Sequence, residues 1–430
     1  MIKVSDYIIQ YLASKGVNHP FLLPGGQSMH LVNSIRSNPD MEPVTVLHEQ
    51  AASMMAETYS RITNNYGLCV VSTGPGGTNC VTGLIGAWLD STPCMFISGQ
   101  FGTKNLGQKK GIKQAGLQNS DPVKIVDSIT KYAVLVDDPN KIKYHLEKAY
   151  YLSTTGRPGP VWLDIPIDVC AALVDIDSLE GYIPEPLETI DEIELKGQVA
   201  NYIELLKKAE RPVILAGNGI RLSKANKEFL TAVDKLKIPV LTSINALDLI
   251  HDKHTYFLGR PNYWGQRYSN FAIQNSDLLL SIGAGLHIET TGFNFKAFAR
   301  EATKVSVDID INELNKEDVP IDFKVHCDAK RFLKELNRQL DNGSSIDSYH
   351  DWWKRCLSWK EKYPIVTPQL KNPDDKVHPF VLYDVLSDEL DIDCNIIHGS
   401  AGTHFVAGVQ AFKVKEKQRA WSAIGVGAMG

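Results

Sequence analysis

The chain has no CxxC pair, no HExxH, no GxSxG and no G-K-[S/T] after a glycine-rich turn. Each absence removes a class of chemistry: a dithiol or structural zinc centre, a helix-borne catalytic zinc, the hydrolase nucleophile and the P-loop, in that order. Seven cysteines at 69, 80, 94, 170, 327, 356 and 394 are odd in number and scattered, so no disulfide framework is indicated and a reducing, cytoplasmic setting is expected. No charge dominates: 45 Lys and Arg face 50 Asp and Glu, a net charge of −5, and without a basic tract a nucleic-acid partner is not expected. No run reaches the ~20 apolar residues of a membrane span. The opening MIKVSDYIIQYLASKGV places Val4, Tyr7, Ile8 and Leu12 at helical spacing among polar residues, unlike the unbroken apolar stretch of a secretory signal.

What is present is ordinary globular composition, 43% apolar and 22% charged, over 430 residues. That length fits two to three domains of ~150 residues. Short β-branched runs recur: VTVL (44–47), LCVVS (68–72), MFIS (95–98), VWLDI (161–165), PVILAG (212–217), LLLSIGA (278–284), KVSVDID (304–310) and NIIHG (395–399). Most are apolar on both faces, as parallel strands covered by helices are, so the expected fold class is α/β with doubly wound parallel-sheet domains. An acidic stretch at 174–196 reads as a linker, and a proline-bearing stretch at 341–378 with a Trp-rich helix pattern reads as a second crossing. The expected domains are 1–173, 195–340 and 376–430. The third is short for a doubly wound domain of ~100–150 residues. The strand at 395–399 and the 421–430 segment are therefore expected to lack later neighbours, leaving the tail from about Gly402 mobile unless a second chain completes it.

Two places carry candidate chemistry. In LHEQAASMMAETYSR (47–61) a strand delivers the chain to Glu49 at a helix start. A carboxylate there is either stabilised by the helix dipole or available to bond a ligand nitrogen. In VSTGPGGTN (71–79) a strand runs into Gly74, Gly76 and Gly77 around Pro75, a turn that can aim backbone amides at a ligand. The next strand ends at Gly99–Gln100, the strand end where open α/β sheets hold ligands. LAGNGIRL (215–222) has two of the three glycines of a dinucleotide fingerprint, with Leu222 at the third, and reads as a tight strand-to-helix turn.

Taken in order, these segments resemble the thiamine diphosphate-dependent enzymes of the acetolactate synthase group. Leu23–Pro24–Gly25–Gly26 resembles their PGG turn, His48–Glu49–Gln50 their HEQ, residues 72–79 their SGPGATN and 90–100 their DSxP…GQ. GRPGPVWLDIPIDV (156–169), the RPV…GxG of 211–219, the VDID of 307–310 and the GVGAMG of 425–430 follow suit. The resemblance implies pyrimidine-binding, middle and partial diphosphate-binding domains for the three segments. Glu49 becomes the catalytic acid that bonds the aminopyrimidine N1′ and favours its imino form, so that the cofactor's own nitrogen removes the C2 proton. Gly25, Gly26 and Gln27 would lie by the thiazolium and substrate, Pro75 and Asn79 by the aminopyrimidine, and Met429 would be the apolar wedge under the bent cofactor.

The same resemblance implies a 2-oxo acid substrate such as pyruvate, carboligation as in acetolactate formation, and a homodimer or homotetramer with shared sites. A plain 2-oxo-acid decarboxylase, a sugar-pathway relative and a non-catalytic fragment completed by a partner chain are the alternatives. Departures from the family pattern are specific. Its FQE triplet reads Leu117–Gln118–Asn119 here, keeping only the catalytic Gln118. The flavin-binding segment GARFDDR reads GAGLHIE (283–289), without either arginine, which weighs against FAD. No GDG occurs, so the Mg²⁺ ligands are expected beyond Gly430.

Overall fold

The computed structural model describes residues 1–107, 111–342, 349–371, 376–399 and 401–428. The chain parts into two units, Met1–Leu187 and Glu188–Gly430.

The first unit is built on strands β2 (Pro20–Leu22), β3 (Val44–Thr45), β4 (Gly67–Ser72), β5 (Cys94–Gln100), β6 (Tyr132–Leu135) and β7 (Val161–Pro166). They form one parallel sheet in the order β3-β2-β4-β5-β7-β6. Two further two-residue strands, β1 (Ile2–Lys3) and β8 (Leu173–Val174), pair antiparallel apart from it. Successive strand side chains point to opposite faces, and the runs without polar interruption now have a cause. Leu68, Val70, Met95, Ile97, Val161, Leu163 and Ile165 enter one core, with Val4, Ile8 and Leu12 of the first helix. Cys69, Val71, Phe96 and Trp162 enter the other, with Ala52, Ala56 and Leu84. Phe96 and Trp162 stack there with ring centroids 5.5 Å apart. That second face is closed by helices Glu49–Thr63 and Val81–Leu89. They cross so closely that a Cβ on Gly83 would lie 2.8 Å from the backbone nitrogen of Met54. The buried Arg61 ties the first of these helices to the end of the second by ion pairs to Glu57 and Asp90.

One expected strand is shorter than its sequence suggests. VTVL pairs in register through Val44 and Thr45, Val46 N still donates to Leu22 O at 3.1 Å, and Leu47 is fully exposed. β3 is an edge strand following Pro43, with β2 as its only neighbour, and edge pairing ends where one partner diverges.

In the second unit β9 (Pro212–Ala216), β10 (Val240–Thr242), β11 (Leu278–Ile282), β12 (Thr303–Asp308) and β13 (Phe323–His326) form a parallel sheet in the order β10-β9-β11-β12-β13. The Trp-rich pattern folds as helix His350–Lys362 and packs on this sheet: Trp352 Nε1 donates to Pro212 O at 3.1 Å, and Tyr349 OH to Leu206 O at 2.5 Å. β14 (Asn395–Ile397) and β15 (Arg419–Trp421) pair parallel with each other. The loose tail expected from Gly402 is instead a helix, Gly402–Ala411, whose Phe405 and Val409 pack with Phe412 and Val414 on Ile244 and Leu247.

Buried charge completes that docking. Arg260, 1% exposed, donates through Nη2 to Asp252 Oδ2 at 2.6 Å and through Nη1 to Phe412 O at 3.4 Å. Asp252 Oδ2 also accepts from Val414 N at 2.8 Å. Asp248 joins Arg221 and Arg419 at 2.8 and 2.6 Å. Removing one partner of a buried pair strands the other charge. Asp252→Ala is therefore expected to cost about 3–5 kcal/mol, read as an earlier urea midpoint for the Trp fluorescence of the second unit. A midpoint equal to that of the unaltered chain contradicts this account.

Candidate active site

The first unit's sheet order turns outward from β2 to β3 on one side and to β4 on the other. Open α/β sheets hold ligands beyond the carboxyl ends of their strands at such a point. The segments after β2, β3, β4 and β5 all leave from that edge, and they hold every sequence-chosen residue of this unit, Gln118 among them in the long stretch after β5 that bonds back to the glycine turn.

Glu49 is the first residue of helix Glu49–Thr63, with His48 as N-cap: its Nδ1 accepts from Gln50 N at 3.1 Å. This cap satisfies a helix-end amide. The Glu49 side chain is therefore not needed for capping. It is half-buried, and Asn79 Nδ2 donates to its Oε2 at 2.9 Å. Among the described residues nothing else donates to this carboxylate. A Cβ added to Gly76 would stand 3.5 Å from its Oε1, so the missing side chain leaves that oxygen room.

Pro75 starts the short helix Pro75–Asn79 and is exposed, while Gly76 and Gly77 are buried beneath it. Gly74 has φ +70°, and a Cβ there would come within 2.5 Å of Gln118 O, so a side chain is excluded twice over. Gln118 itself lies in the left-handed region at φ +64°, with its side chain exposed and Leu117 beside it 81% exposed. Asn119 turns inward, its Oδ1 accepting from Gly107 N and Ala115 N at 3.2 and 3.4 Å.

On the other side of the crevice, Gly25 N donates to Ser28 Oγ at 3.2 Å, and that oxygen lies 3.1 Å from Ser72 Oγ at the end of β4. Gly26 is exposed with open space about it, and Gln27 is held where the end of β5 comes closest: a Cβ on Gly99 would be 2.3 Å from Gln27 O. Glu49, Asn79 and Gly76 thus form one direct cluster and Gln118 and Gly74 another. Gly25 and Gln27 abut the ends of β4 and β5. Met429 lies outside the described residues.

Sequence reasoning gave no role to a polar network beneath these loops. Asp164 in β7 is fully buried; Ser98 Oγ donates to its Oδ1 at 2.5 Å and Gln100 Nε2 to its Oδ2 at 2.9 Å. Burial pushes this carboxyl up to about 7 against the pull of those two bonds. The signal was legible as an acid in the middle of VWLDIP, where every neighbour is apolar or proline.

The turn of the second unit is a packing junction. Gly217 N and Gly219 N donate to the carbonyls of Ile282 and Gly283 at 2.9 and 3.0 Å, and a Cβ on Gly217 would overlap Gly283 O. The amides of Gly217 and Gly219 are thereby spent on holding two strand ends together. Among the described residues no cluster of three or more His, Cys, Asp or Glu side chains is arranged to hold a metal ion, and no helix is long and apolar enough to cross a membrane.

Comparison with known proteins meets this geometry from outside. Residues 2–125 match the family described as thiamine pyrophosphate enzyme, N-terminal TPP binding domain, and residues 199–336 the thiamine pyrophosphate enzyme central domain. The acetolactate synthase large subunit of Buchnera aphidicola subsp. Schizaphis graminum is 29% identical over 99% of this chain and 73% of its own length. The probable acetolactate synthase large subunits of Methanocaldococcus jannaschii and Methanococcus aeolicus are 31% and 32% identical, over 100% and 99% of this chain and 72% of each relative. Likeness sustained at that level along both units means that this chain belongs to the thiamine pyrophosphate enzymes, in the family of the acetolactate synthase large subunits.

Proposed function

We propose that this protein decarboxylates a 2-oxo acid such as pyruvate and joins the acyl fragment to a second carbonyl, as acetolactate formation requires. The observation that carries the reading is the Glu49 carboxylate, with Asn79 on one oxygen and the space over Gly76 before the other. An aminopyrimidine fits that pairing, because one oxygen is oriented by protein and the other is left for a ring nitrogen. Bound thiamine diphosphate supplies the carbon nucleophile and electron sink that 2-oxo-acid decarboxylation needs. Glu49 holds a proton at N1′, and Asn79 keeps the carboxylate in the orientation that presents it. Pro75 lines the ring, Gly25, Gly26 and Gln27 border the thiazolium and substrate, and Gln118 meets the substrate from the facing loop. Met429 would be the wedge under the cofactor. Mg²⁺ enters as the counter-ion of the diphosphate, which it commonly holds with one or two carboxylates; no residue of this sequence is assigned to it.

One observation favours a second product. Asn119 is spent on closing its own loop and offers no carboxylate where the family triplet has its acid. The acceptor would then be a proton and the reaction plain decarboxylation. Incubating the intact enzyme, with its Mg²⁺ ligands present, with pyruvate, thiamine diphosphate and Mg²⁺ separates the readings by product, acetolactate or acetaldehyde. Consumption of no 2-oxo acid rejects both.

Two outcomes follow from the assigned roles. Glu49→Gln keeps the shape but loses the proton, and turnover should drop about 10²–10⁴-fold, the scale of a positioned acid–base group. Turnover within a few-fold of the unaltered protein would remove Glu49 from the reaction. The second concerns assembly. Leu47 and Leu117, 101% and 81% exposed, stand beside Glu49 and Gln118, and exposed apolar groups at a site edge suit a covering partner. Light scattering should return a homodimer or homotetramer, and Leu47→Asp should weaken association by at least about tenfold, the scale of one buried leucine at ~1.5–3 kcal/mol. A monomeric mass at micromolar concentration counts against shared sites.

A further inference from the structure

We propose that Asp164 is a positioning residue for this site: its buried carboxyl group directs the Gln100 amide, and through that amide fixes Thr73 and Ser120, which hold the Gln118 loop to the glycine turn. The proposal rests on the reading of Gln118 and that turn as the place of reaction.

Asp164 has no Lys, Arg or His partner among the described residues, and both groups that bond its carboxyl oxygens are neutral donors. Trp162 Nε1 donates to Ser98 Oγ at 2.9 Å, which leaves the Ser98 hydroxyl hydrogen for Asp164 Oδ1. Gln100 Oε1 accepts from Phe101 N at 3.0 Å, which fixes the amide's orientation. Its Nε2 then has two hydrogens but three oxygens in range: Thr73 Oγ1 at 2.9 Å, Asp164 Oδ2 at 2.9 Å and Ser120 O at 3.1 Å. Ser120 Oγ in turn accepts from Gly74 N at 3.2 Å. One amide therefore spans β5, β7, the glycine turn and the loop two residues past Gln118.

A charged carboxylate accepts more strongly than a neutral acid, so a charged Asp164 holds one Nε2 hydrogen firmly and pins the amide, which keeps the second hydrogen between Thr73 Oγ1 and Ser120 O. With its carboxyl pushed up to about 7, that state changes near neutrality. The other titratable groups that bear on it are Asp121, which raises it further, and the Cys170 thiol, itself pushed up to about 12. A carboxyl raised on folding contributes stability that is full below the ordinary carboxylate range and lost as pH rises through about 7. The loop contact runs the other way: it tightens as Asp164 becomes charged.

Hydrogen exchange by mass spectrometry on the full chain, without cofactor, tests this. In Asp164→Asn the Gln100 amide keeps at best a neutral amide oxygen in place of the carboxylate, and peptides covering 72–75 and 116–121 should exchange about tenfold faster, the equivalent of ~1.4 kcal/mol. Peptides of β11 should be unchanged. Ser98→Ala removes the other bond to Asp164 and should leave both loops within about twofold. In the unaltered chain, loop protection should rise as pH passes 7 while the melting temperature falls relative to Asp164→Asn. If Asp164→Asn does not fold, Gln100→Met should loosen the same two peptides. Unchanged loop exchange, or equal loosening by Ser98→Ala, overturns the proposal. Because no turnover is needed, an inactive protein would reject the functional reading and leave this result standing. In an active protein, Asp164→Asn should lower kcat about tenfold at unchanged KM, and adding it to Gln118→Ala should cost nothing more. Fully additive losses would overturn the coupling.

Discussion

Parallel pairing of β4, β5 and β7 in one register is the constraint on which the first unit rests. Each of these strands buries both faces, one against the helix that opens the chain and the other against the helix begun by Glu49. Parallel order sends every carboxyl end to the same edge. The loops there are crowded by construction, and glycine appears where they would otherwise collide: Gly25 against Ser72, Gly74 against Gln118 and Gly99 against Gln27. The site is thus a by-product of sheet geometry, and its glycines serve approach between loops as much as approach to a ligand.

The sequence disclosed the parts of this that depend on period and composition. Runs apolar on both faces marked the central strands, because a strand buried on two sides has no position for a polar residue except where a partner waits. The motifs marked Glu49 and the glycine turn. What it concealed were contacts between residues far apart in the chain. Nothing local distinguishes VTVL from a full strand, since its early end is set by the single neighbour β2. Nothing near Gly402 announces that Phe405 and Val409 find Ile244 and Leu247 some 160 residues earlier. The Asp164–Gln100 network joins positions 64 residues apart and could be suspected only from an acid placed among apolar neighbours.

The two units handle buried charge differently. In the second, Arg260 and Asp252, and Asp248 between two arginines, are opposite charges that compensate each other and fasten the 410–420 stretch to the sheet. Such pairs act as clamps, each charge answered by its opposite. In the first, Arg61 is compensated in the same way, whereas among the described residues Asp164 has only neutral donors. A carboxyl without a counter-charge is the less stable arrangement, and it stands where a response to pH reaches the loops.

The close crossing at Gly83 has a consequence for how this site can drift under substitution. The helix that begins with Glu49 and the helix that follows the glycine turn meet there with only the small Ser53 side chain and the Ser53–Met54 backbone against Gly83. They form a single stiff lever. A change in the core that tilts one tilts the other, so the carboxylate and the turn facing it move as a pair and their spacing is preserved. Substitutions elsewhere in that core can therefore accumulate without detuning the pair, while any side chain at position 83 would pry them apart at once.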